Sequence, residues 1–433
     1  MKNIPHEKTL DSSLALLSDG YPFIQKRSKR FHSNIFQTRL LGEKAICLHG
    51  EEAASIFYDN DKFRRSDAIP KRIQTTLMGE GGVQTLDNEA HRHRKAMFMS
   101  LMTPESIEQL MNIMAKDWRA YIRKWEKMNY ITLFDDVQEI ICLSACAWAG
   151  VPLKPTEVRE RARDFGDMVD AFGGVGPRHW KGKWARRKTE SWIRGIIRQI
   201  RAGKLQVEDG SAAQVIALHC DLEGKLLDRQ IAAVELINII RPIVAISFYV
   251  TFAALALHEH PAYRAKLQKG DDNLVEMFVQ EVRRYYPFTP FLGARVREKF
   301  MWQGHKFKEG TLVLLDVYGL LHDDKVWERA NEFWPERFLH WEGSPFDFIP
   351  QGGGDYFTGH RCAGEWITIE ALKVAVRVLT SCMTYQVPDQ DLSFSLSRMP
   401  SLPKSGFKIS CVKEIRSAPS STSRPSRCPF HHM

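Results

Sequence analysis

The sequence feature that most constrains the fold is an almost unbroken apolar stretch at residues 236–257, LINIIRPIVAISFYVTFAALAL. As a helix it is long enough to cross a bilayer. It contains Arg241, however, and a central arginine costs about 2.5–3.5 kcal/mol on the membrane-insertion scale. The sequence contains no second apolar stretch of this kind. Its lysine and arginine residues are also not concentrated in alternate loops, as they are in membrane proteins. The pattern therefore predicts no stable membrane insertion but a helix buried on all sides at the centre of a large domain, kinked at Pro242.

The charge of Arg241 needs an anionic partner at that depth. A buried guanidinium cannot release its proton, so it must be paired. One possibility is a carboxylate of the protein, which is the usual case. The other is the carboxylate of a ligand, bound by two parallel hydrogen bonds. The residues alone leave both possibilities open.

The remaining pattern predicts a mainly α fold with small β-sheets. Helical periodicity spans residues 9–30 and most of 104–222, a hairpin is expected at 35–48, and terminal strand pairs are expected after Val387. The 433 residues show no repeat and no internal linker. We expect one domain over residues 1–415, followed by a Ser/Pro/Arg-rich tail at 416–433 that is predicted to be disordered.

Cysteine spacing, the first residues and the charge pattern argue against a zinc protein, a secreted disulfide-rich protein and a nucleic-acid-binding protein. The eight cysteines are scattered without zinc-ligand spacing, and the first residues lack the layout of a signal peptide, which together favour a cytoplasmic protein without a disulfide framework. The net charge is +9, but the basic residues read as dispersed along the chain. We interpret them as a solvated basic surface and expect no binding of nucleic acid.

A single cysteine, Cys362, follows a glycine-rich run in residues 348–366, FIPQGGGDYFTGHRCAGEW, and precedes a helical pattern. A thiolate just ahead of a helix N-terminus is stabilised by the backbone N–H groups and the helix dipole. Under a flat surface lined by glycine, it suits the axial position of a haem iron. A buried structural cysteine is the alternative, since that is the commoner fate of a free thiol.

Two further patterns carry charge at helical spacing. Glu281 and Arg284 lie one turn apart in QEVRRYYPF, and Arg337 in NEFWPERF is a possible third member of a buried ion pair. His91 and Lys95 share one helix face in HRHRK. Those two residues form either a solvated basic surface or a clamp for acidic groups such as haem propionates.

Taken together, the cysteine before a helix, the ExxR helix and the PERF segment resemble the cytochrome P-450 superfamily over nearly the whole chain. The resemblance implies the family's fold, with haem b between a long distal helix and the cysteine loop. It implies that Cys362 ligates the iron and that Glu281, Arg284 and Arg337 form the structural triad. His91, Lys95 and Arg361 are expected to contact the cofactor.

The departures from the family pattern point to one group within it. The usual Phe and Arg before the cysteine are replaced by Asp355 and His360, and the central helix has Arg241-Pro242 in place of the acid–threonine pair. With IPQGGGD and GHRCAGEW, this resembles the bacterial fatty-acid peroxygenases. The implied co-substrate is hydrogen peroxide, with no dedicated reductase. Residues matching those that line the relatives' fatty-acid channel are Leu77, Met78, Val169, Phe172, Phe288, Thr289 and Phe291.

The implied reaction is hydroxylation of a long-chain fatty acid at the α or β carbon, with the 3-hydroxy product slightly favoured. Peroxide heterolysis needs a group that moves a proton between the two oxygens, and a substrate carboxylate held by Arg241 would supply it. Gln84 matches a position that is histidine in alkene-forming relatives, so decarboxylation is expected to be minor. The rival hypotheses are a reductase-dependent haem-thiolate monooxygenase and a non-catalytic haem or fatty-acid sensor.

Overall fold

The structure is a computed structural model that describes residues 2–415, so the predicted disorder of the tail at 416–433 falls outside the described residues. Helices dominate, as the apolar periodicity predicts. In chain order they are α1 Ser13–Asp19, α2 Phe23–Phe31, α3 Glu51–Phe57, α4 Lys71–Ile73, α5 Asn88–Met99, α6 Pro104–Trp125, α7 Leu133–Trp148, α8 Val158–Asp170, α9 Pro177–Arg201, α10 Ala212–Leu218, α11 Arg229–Val244, α12 Ile246–Glu259, α13 Pro261–Leu267, α14 Asp272–Tyr285, α15 Tyr318–Leu321 and α16 Glu365–Arg377.

The strands form small sheets at the edge of the helical body. They are β1 Ile35–Leu40, β2 Glu43–Leu48, β3 Phe63–Arg64, β4 Tyr130–Thr132, β5 Phe291–Val296, β6 Phe300–Trp302, β7 His305–Phe307, β8 Leu312–Asp316, β9 Met383–Gln386 and β10 Lys408–Glu414. Five of them form a mixed sheet in the order β1-β2-β8-β5-β3, in which only the β2–β8 pair is parallel. The remaining strands form a three-stranded sheet, β4-β10-β9, and the β6–β7 hairpin.

The long apolar stretch is a central helix, as predicted. Residues Arg229–Glu259 form the one helix, within the described part of the chain, that is long and apolar enough to span a membrane, and 94% of its most apolar window is buried inside the protein. The helix axis is interrupted at Ala245, where the backbone hydrogen bond to Phe248 spans three residues instead of four. This interruption lies three residues after Pro242, which supplies no N–H donor to the preceding turn.

Three local predictions need correction. The helical pattern over residues 9–30 is two helices, α1 and α2, because Gly20 adopts φ 64° and Pro22 precedes the second helix. The hairpin is confirmed, but its turn is Leu41-Gly42, and both residues have positive φ. Residues after Val387 add one strand, β10, rather than strand pairs, because its partners β4 and β9 come earlier in the chain.

The arrangement of α12, α14 and α16 places the cysteine loop. Helix α16, which begins three residues after Cys362, packs against both α12 and α14. Buried side chains from all three helices belong to one large apolar core. The central helix, the ExxR helix and the cysteine loop are therefore neighbours in space, although about 100 residues separate the end of the first, Glu259, from Cys362.

Candidate active site

Glu281, Arg284 and Arg337 form the ion-pair network that the sequence predicts. Both oxygens of Glu281 accept hydrogen bonds from Arg284 at 2.8 Å, and Arg337 Nε donates to the same carboxylate at 3.0 Å. All three side chains are almost completely buried. Their remaining donors bind backbone carbonyls of residues 321–332, so the network ties α14 to the chain that leads to the cysteine loop.

Cys362 lies just before the N-terminus of α16, as predicted. Its backbone N–H donates to the Gln351 carbonyl at 3.1 Å, and the Gln351 side-chain amide lies 3.8 Å from Sγ. Gly352 at φ 94° allows the loop to fold back within contact distance of Arg361. Burial raises the pKa of the Cys362 thiol, while Lys95 and the Gly364 N–H lower it. A metal ion that binds the sulfur would deprotonate it outright.

A cluster of basic side chains, which we call the basic cluster, surrounds this loop: Arg65, His91 and Lys95, which are buried, and His360, which is half-buried. The rings of His91 and His360 stack with their centroids 3.8 Å apart. Burial lowers the pKa of all four groups, to about 10 for Arg65 and about 4 for His91. Within residues 2–415, neither Arg65 nor Lys95 has a carboxylate at ion-pair distance. Such a cluster requires anions from outside the chain.

Sequence reasoning identified only part of the basic cluster. His91 and Lys95 lie on one face of α5, as predicted, but Arg65 follows β3 without any motif to mark it. The Arg361 guanidinium forms an ion pair with Glu365 at 2.6 Å, and its predicted contact with the cofactor stays a prediction. The Arg361 carbonyl accepts a hydrogen bond from Lys95 of the basic cluster.

Arg241 is a buried cation without a protein carboxylate in the described part of the chain. Its Nε is buried and has no hydrogen-bond partner. The pKa of its guanidinium is lowered to about 9, because burial and the nearby Arg186 charge lower it more than Cys362 raises it. The group therefore remains charged at neutral pH, and the influence of Cys362 shows that the cysteine loop lies within electrostatic reach. Of the two possible partners for Arg241, the geometry favours a ligand carboxylate.

The acidic residue nearest to Arg241 in the central helix is already engaged. Glu235 receives a hydrogen bond from Arg94 at 2.6 Å and another from Asn238 at 3.2 Å. Asn238 also donates to Gln84 Oε1 at 3.3 Å. Gln84, in the short turn Val83–Thr85, is therefore held beside the helix turn that carries Arg241. No free carboxylate on this part of the central helix is available to move a proton.

An apolar cluster follows Arg241 along the same helix face. Ala245 lies one helical turn after Arg241, and the two side chains therefore project in the same direction. Five of the seven predicted channel residues belong to the cluster, which contains Leu77, Val169, Ala245, Phe248, Ile73, Met78, Phe134, Phe172, Phe288 and Leu402. A cavity of about 560 Å³ borders Phe134, Phe248 and Leu402 of this set, but the rest of its lining is mostly charged and polar, so it is not itself the apolar site.

Two predicted channel residues lie apart from this cluster. Phe291 is in β5 and packs against the N-terminal cluster around Phe23 and Phe36, because strand residues alternate between the two faces of the sheet. Thr289 is half-buried next to Phe288 but outside the apolar cluster. The sequence reasoning missed Ala245 and Phe248, although their spacing from Arg241 along one helix is a signal that was available.

Comparisons with known proteins agree with this geometry. The family model described as Cytochrome P-450 matches residues 271–409, the part that contains the ion-pair network and Cys362. The structure of cytochrome P-450EX alpha with myristic acid is 46% identical, with a TM-score of 0.93, and the match covers 96% of this chain and all of that one. The chain belongs to the cytochrome P-450 family.

Other members of the family are similar over almost their full length. Cytochrome P-450SP alpha in complex with (R)-ibuprophen is 47% identical (TM-score 0.91; 93% of this chain, 99% of that chain). Cytochrome P-450 OleT, in a variant bound to arachidonic acid, is 38% identical (TM-score 0.93; 96% and 100%). Putative cytochrome P-450 120 of Synechocystis is 22% identical over 92% of this chain and 94% of its own. The three solved structures, which are 38% to 47% identical to it, place this cytochrome P-450 in the fatty-acid peroxygenase group, as the sequence resemblance implied.

The residues present fit the haem of a cytochrome P-450. Cys362 would supply a thiolate ligand to the iron, and Arg65 and Lys95 of the basic cluster would supply unpaired positive charge for the two propionates of haem b. The observation that decides this is the burial of Arg65 and Lys95 without carboxylate partners. His91, Lys95 and Arg65 are thus the residues that would hold the propionates.

Replacing Lys95 by Met should weaken haem retention without unfolding the protein. A hydrogen bond to a charged group contributes about 1.5–3 kcal/mol, so haem should dissociate roughly tenfold to a hundredfold faster. The measurement is the rate of haem transfer to excess apomyoglobin. Arg92→Met, at an exposed position on the same helix, is the matched control. Equal rates for Lys95→Met and the wild type would rule out a propionate contact.

Proposed function

We propose that this cytochrome P-450 uses hydrogen peroxide to hydroxylate long-chain fatty acids at the α or β carbon, with the substrate carboxylate bound to Arg241. The observation that carries this proposal is the buried Arg241 cation, which lacks a protein carboxylate in the described part of the chain and borders the apolar cluster. A fatty acid complements both features of this site, the cation and the apolar cluster. Its carboxylate pairs with the guanidinium, and its alkyl chain occupies apolar surroundings.

The neighbouring structures support a carboxylic acid as the ligand. Myristic acid, arachidonic acid and (R)-ibuprophen, which are bound to the three similar proteins, share a carboxyl group and an apolar body. Their chains and ring differ greatly in shape. The shared chemistry is therefore the carboxylate, the part that Arg241 is placed to recognise.

The residues of the chain have distinct roles in this reaction. A haem iron with a thiolate ligand supplies the oxidising chemistry when it is bound. Arg241 fixes the carboxylate by charge and by its planar pair of donors. The fixed carboxylate takes a proton from one peroxide oxygen and returns it to the other, the task that a protein acid performs in reductase-dependent relatives. Pro242 contributes indirectly, because it supplies no N–H donor to the helix turn that carries Arg241.

The apolar cluster sets the position of oxidation. With the carboxylate held at Arg241, the first carbons of the chain lie beside the carboxylate, and the rest extends along Leu77, Val169 and Phe172. Only the α and β carbons are then near the reacting peroxide oxygen, with the 3-hydroxy product slightly favoured. The half-buried Thr289 lies at the edge of this region, next to Phe288.

This scheme makes a reductase unnecessary, because peroxide brings both oxygen and oxidising equivalents. We place the reaction in the cytoplasm and in the domain formed by residues 1–415. The rival functions make different predictions. A reductase-dependent monooxygenase needs a ferredoxin or flavodoxin for turnover, and a non-catalytic sensor binds fatty acid without product.

The direct test mixes purified haem-loaded protein, hydrogen peroxide and a long-chain fatty acid without any reductase. We expect 2- and 3-hydroxy fatty acids, identified by gas chromatography with mass spectrometry. A fatty alcohol of equal chain length, which has no carboxylate, is the matched control and should remain almost unreacted. If product appears only when a reductase and its electron donor are added, the monooxygenase hypothesis replaces the proposal.

Gln84→His should increase the alkene fraction of the products. Imidazole titrates near neutral pH and exchanges protons readily, whereas the Gln84 amide carries no ionisable proton and already accepts a hydrogen bond from Asn238. We expect the ratio of alkene to hydroxy acid to rise several-fold, measured by the same product analysis. Gln303→His, in an exposed turn, is the control substitution. An unchanged ratio in Gln84→His would contradict a role of this side chain in product choice.

A further inference from the structure

Most of the net charge of the chain is concentrated in helix α9. The helix contains nine lysine and arginine residues and one glutamate, a net charge of +8, while the whole chain carries +9. The interpretation of the basic residues as dispersed was therefore wrong. Its cause is that no single window of the sequence is purely basic, because apolar residues that pack inward alternate with the charges along this helix.

The charge of α9 is only partly compensated by its neighbours. Within the described residues, Arg178 pairs with Asp170, Arg186 with Glu190, and Lys188 with Glu160 and Asp164. The other six basic residues have no carboxylate at ion-pair distance in that part of the chain: Lys181, Lys183, Arg187, Arg194, Arg198 and Arg201. The neighbouring helix α8 contributes four acidic and three basic residues, so the two helices together remain strongly positive.

The same helix exposes large aromatic side chains. Trp180 is 64% exposed and Trp184 is 74% exposed, and Val175 just before the helix is 54% exposed. Because Trp180 and Trp184 are four residues apart, they are neighbours on one face. Arg187 and Arg194 continue that face at helical spacing and are also exposed. Tryptophan beside unpaired basic residues is typical of a helix that lies in the interface of a lipid bilayer.

This face also lies over the substrate region. Residues 171–176 connect α8 to α9 and carry Phe172 of the apolar cluster. Gly182 sits directly against Ala171, where a Cβ atom would approach the Ala171 side chain to 2.3 Å. The connection therefore joins helix α9, which carries the exposed tryptophans, to a segment that contributes Phe172 to the apolar cluster.

We propose that the face formed by Val175, Trp180, Trp184, Arg187 and Arg194, here called the α9 face, docks on the surface of an anionic lipid bilayer. The tryptophans enter the headgroup region, and the unpaired arginines contact lipid phosphates. An acidic protein would satisfy the charges, but two neighbouring exposed tryptophans on the same helix face favour a lipid surface. The inference that docking brings the substrate region to a source of fatty acid rests on the proposed function. The docking itself does not.

Sedimentation with vesicles tests the docking of the haem-loaded protein. We expect it to sediment with vesicles of equal parts phosphatidylglycerol and phosphatidylcholine and to stay in solution with phosphatidylcholine alone. At about 1 M salt, where the Debye length falls to about 3 Å, binding should be largely lost. If the wild type fails to sediment with the anionic vesicles at low salt, the proposal is overturned, including the case in which it binds only acidic proteins.

Substitutions on the α9 face test whether this surface is the one that binds lipid. The double substitutions Trp180→Ala with Trp184→Ala, and Arg187→Glu with Arg194→Glu, should each reduce the vesicle partition coefficient at least about tenfold. Tyr130→Ala removes an aromatic side chain of similar exposure in β4, and Lys306→Glu reverses an exposed charge in β7. Both controls should bind like the wild type. Unchanged binding by the tryptophan double variant would assign any lipid affinity to another surface.

Activity separates this proposal from the proposed function. Each α9 variant should oxidise a dissolved fatty acid with peroxide at the wild-type rate, because these side chains point away from the apolar cluster. Loss of vesicle binding with full activity on dissolved fatty acid supports docking as a separate property. Absence of peroxide-driven activity in the wild type would overturn the function and leave the vesicle result intact.

Discussion

Arg241→Ala should lose most peroxide-driven fatty-acid oxidation while it keeps the haem-thiolate absorption spectrum of the wild type. The substitution removes the partner of the substrate carboxylate, and with it the fixed acid–base group. General acid–base catalysis contributes typically about 10²–10⁴-fold, so kcat/KM should fall by roughly that factor. The measurement is steady-state product formation with fatty acid and hydrogen peroxide.

The pattern of specificity tests this role more sharply than the rate alone. The wild type should strongly prefer a fatty acid to the alcohol of equal length, and Arg241→Ala should lose this preference. Arg241→Lys retains the charge but lacks the planar pair of donors, so it should recover only part of the activity. Exposed Arg92→Ala, which leaves the site intact, serves as the control. Normal turnover by Arg241→Ala would refute a substrate-assisted mechanism.

The interactions that depend on residues close together in the sequence were predictable. Glu281 and Arg284 are one helical turn apart, and their helix predicts the ion pair directly. Cys362 follows the same logic, because a cysteine between a glycine-rich loop and a helical pattern has few possible environments. Arg241 was predictable from burial alone, since an arginine in an apolar helix needs an anion.

Contacts between distant segments were not predictable from spacing. Arg65 and His360 are almost 300 residues apart in sequence, and only the fold brings both to the basic cluster. The pairing of Arg361 with Glu365 was missed for a different reason. Arg361 lies four residues before Glu365, the first residue of α16, and sequence spacing does not fix the direction of its side chain.

The alternation of side chains between the two faces of a strand also limited which contacts could be predicted from the sequence. Phe291 and Phe288 are three residues apart, yet Phe291 is already in β5 and faces another cluster. Both residues were predicted to line one channel because they match positions that line the fatty-acid channel of the relatives. Phe248 of the apolar cluster was not predicted to contact the substrate. Almost every residue of α12 is buried, so burial alone does not distinguish Phe248 from its neighbours.

Glu281→Gln should produce the largest loss of stability of any single substitution considered for this chain. The change preserves the shape of the side chain but removes the charge that balances Arg284 and Arg337. Both guanidinium groups are almost fully buried. Breaking a buried ion pair in this way costs about 3–5 kcal/mol, because an uncompensated charge remains in a region of low dielectric. The measurement is the free energy of unfolding from denaturant titration of the haem-loaded protein.

The control for this experiment is an ion pair at the surface. Glu223→Gln breaks the pair with Lys225, in which both side chains are more than 70% exposed, and should change the free energy of unfolding by less than about 1 kcal/mol. If Glu281→Gln does not fold, Arg337→Gln provides the weaker perturbation, since the bidentate pair between Glu281 and Arg284 then survives. Arg337→Gln should also loosen residues 328–332, whose carbonyls Arg337 binds, and hydrogen exchange there should accelerate. Glu281→Gln with wild-type stability would mean that the backbone carbonyls alone compensate the two arginines.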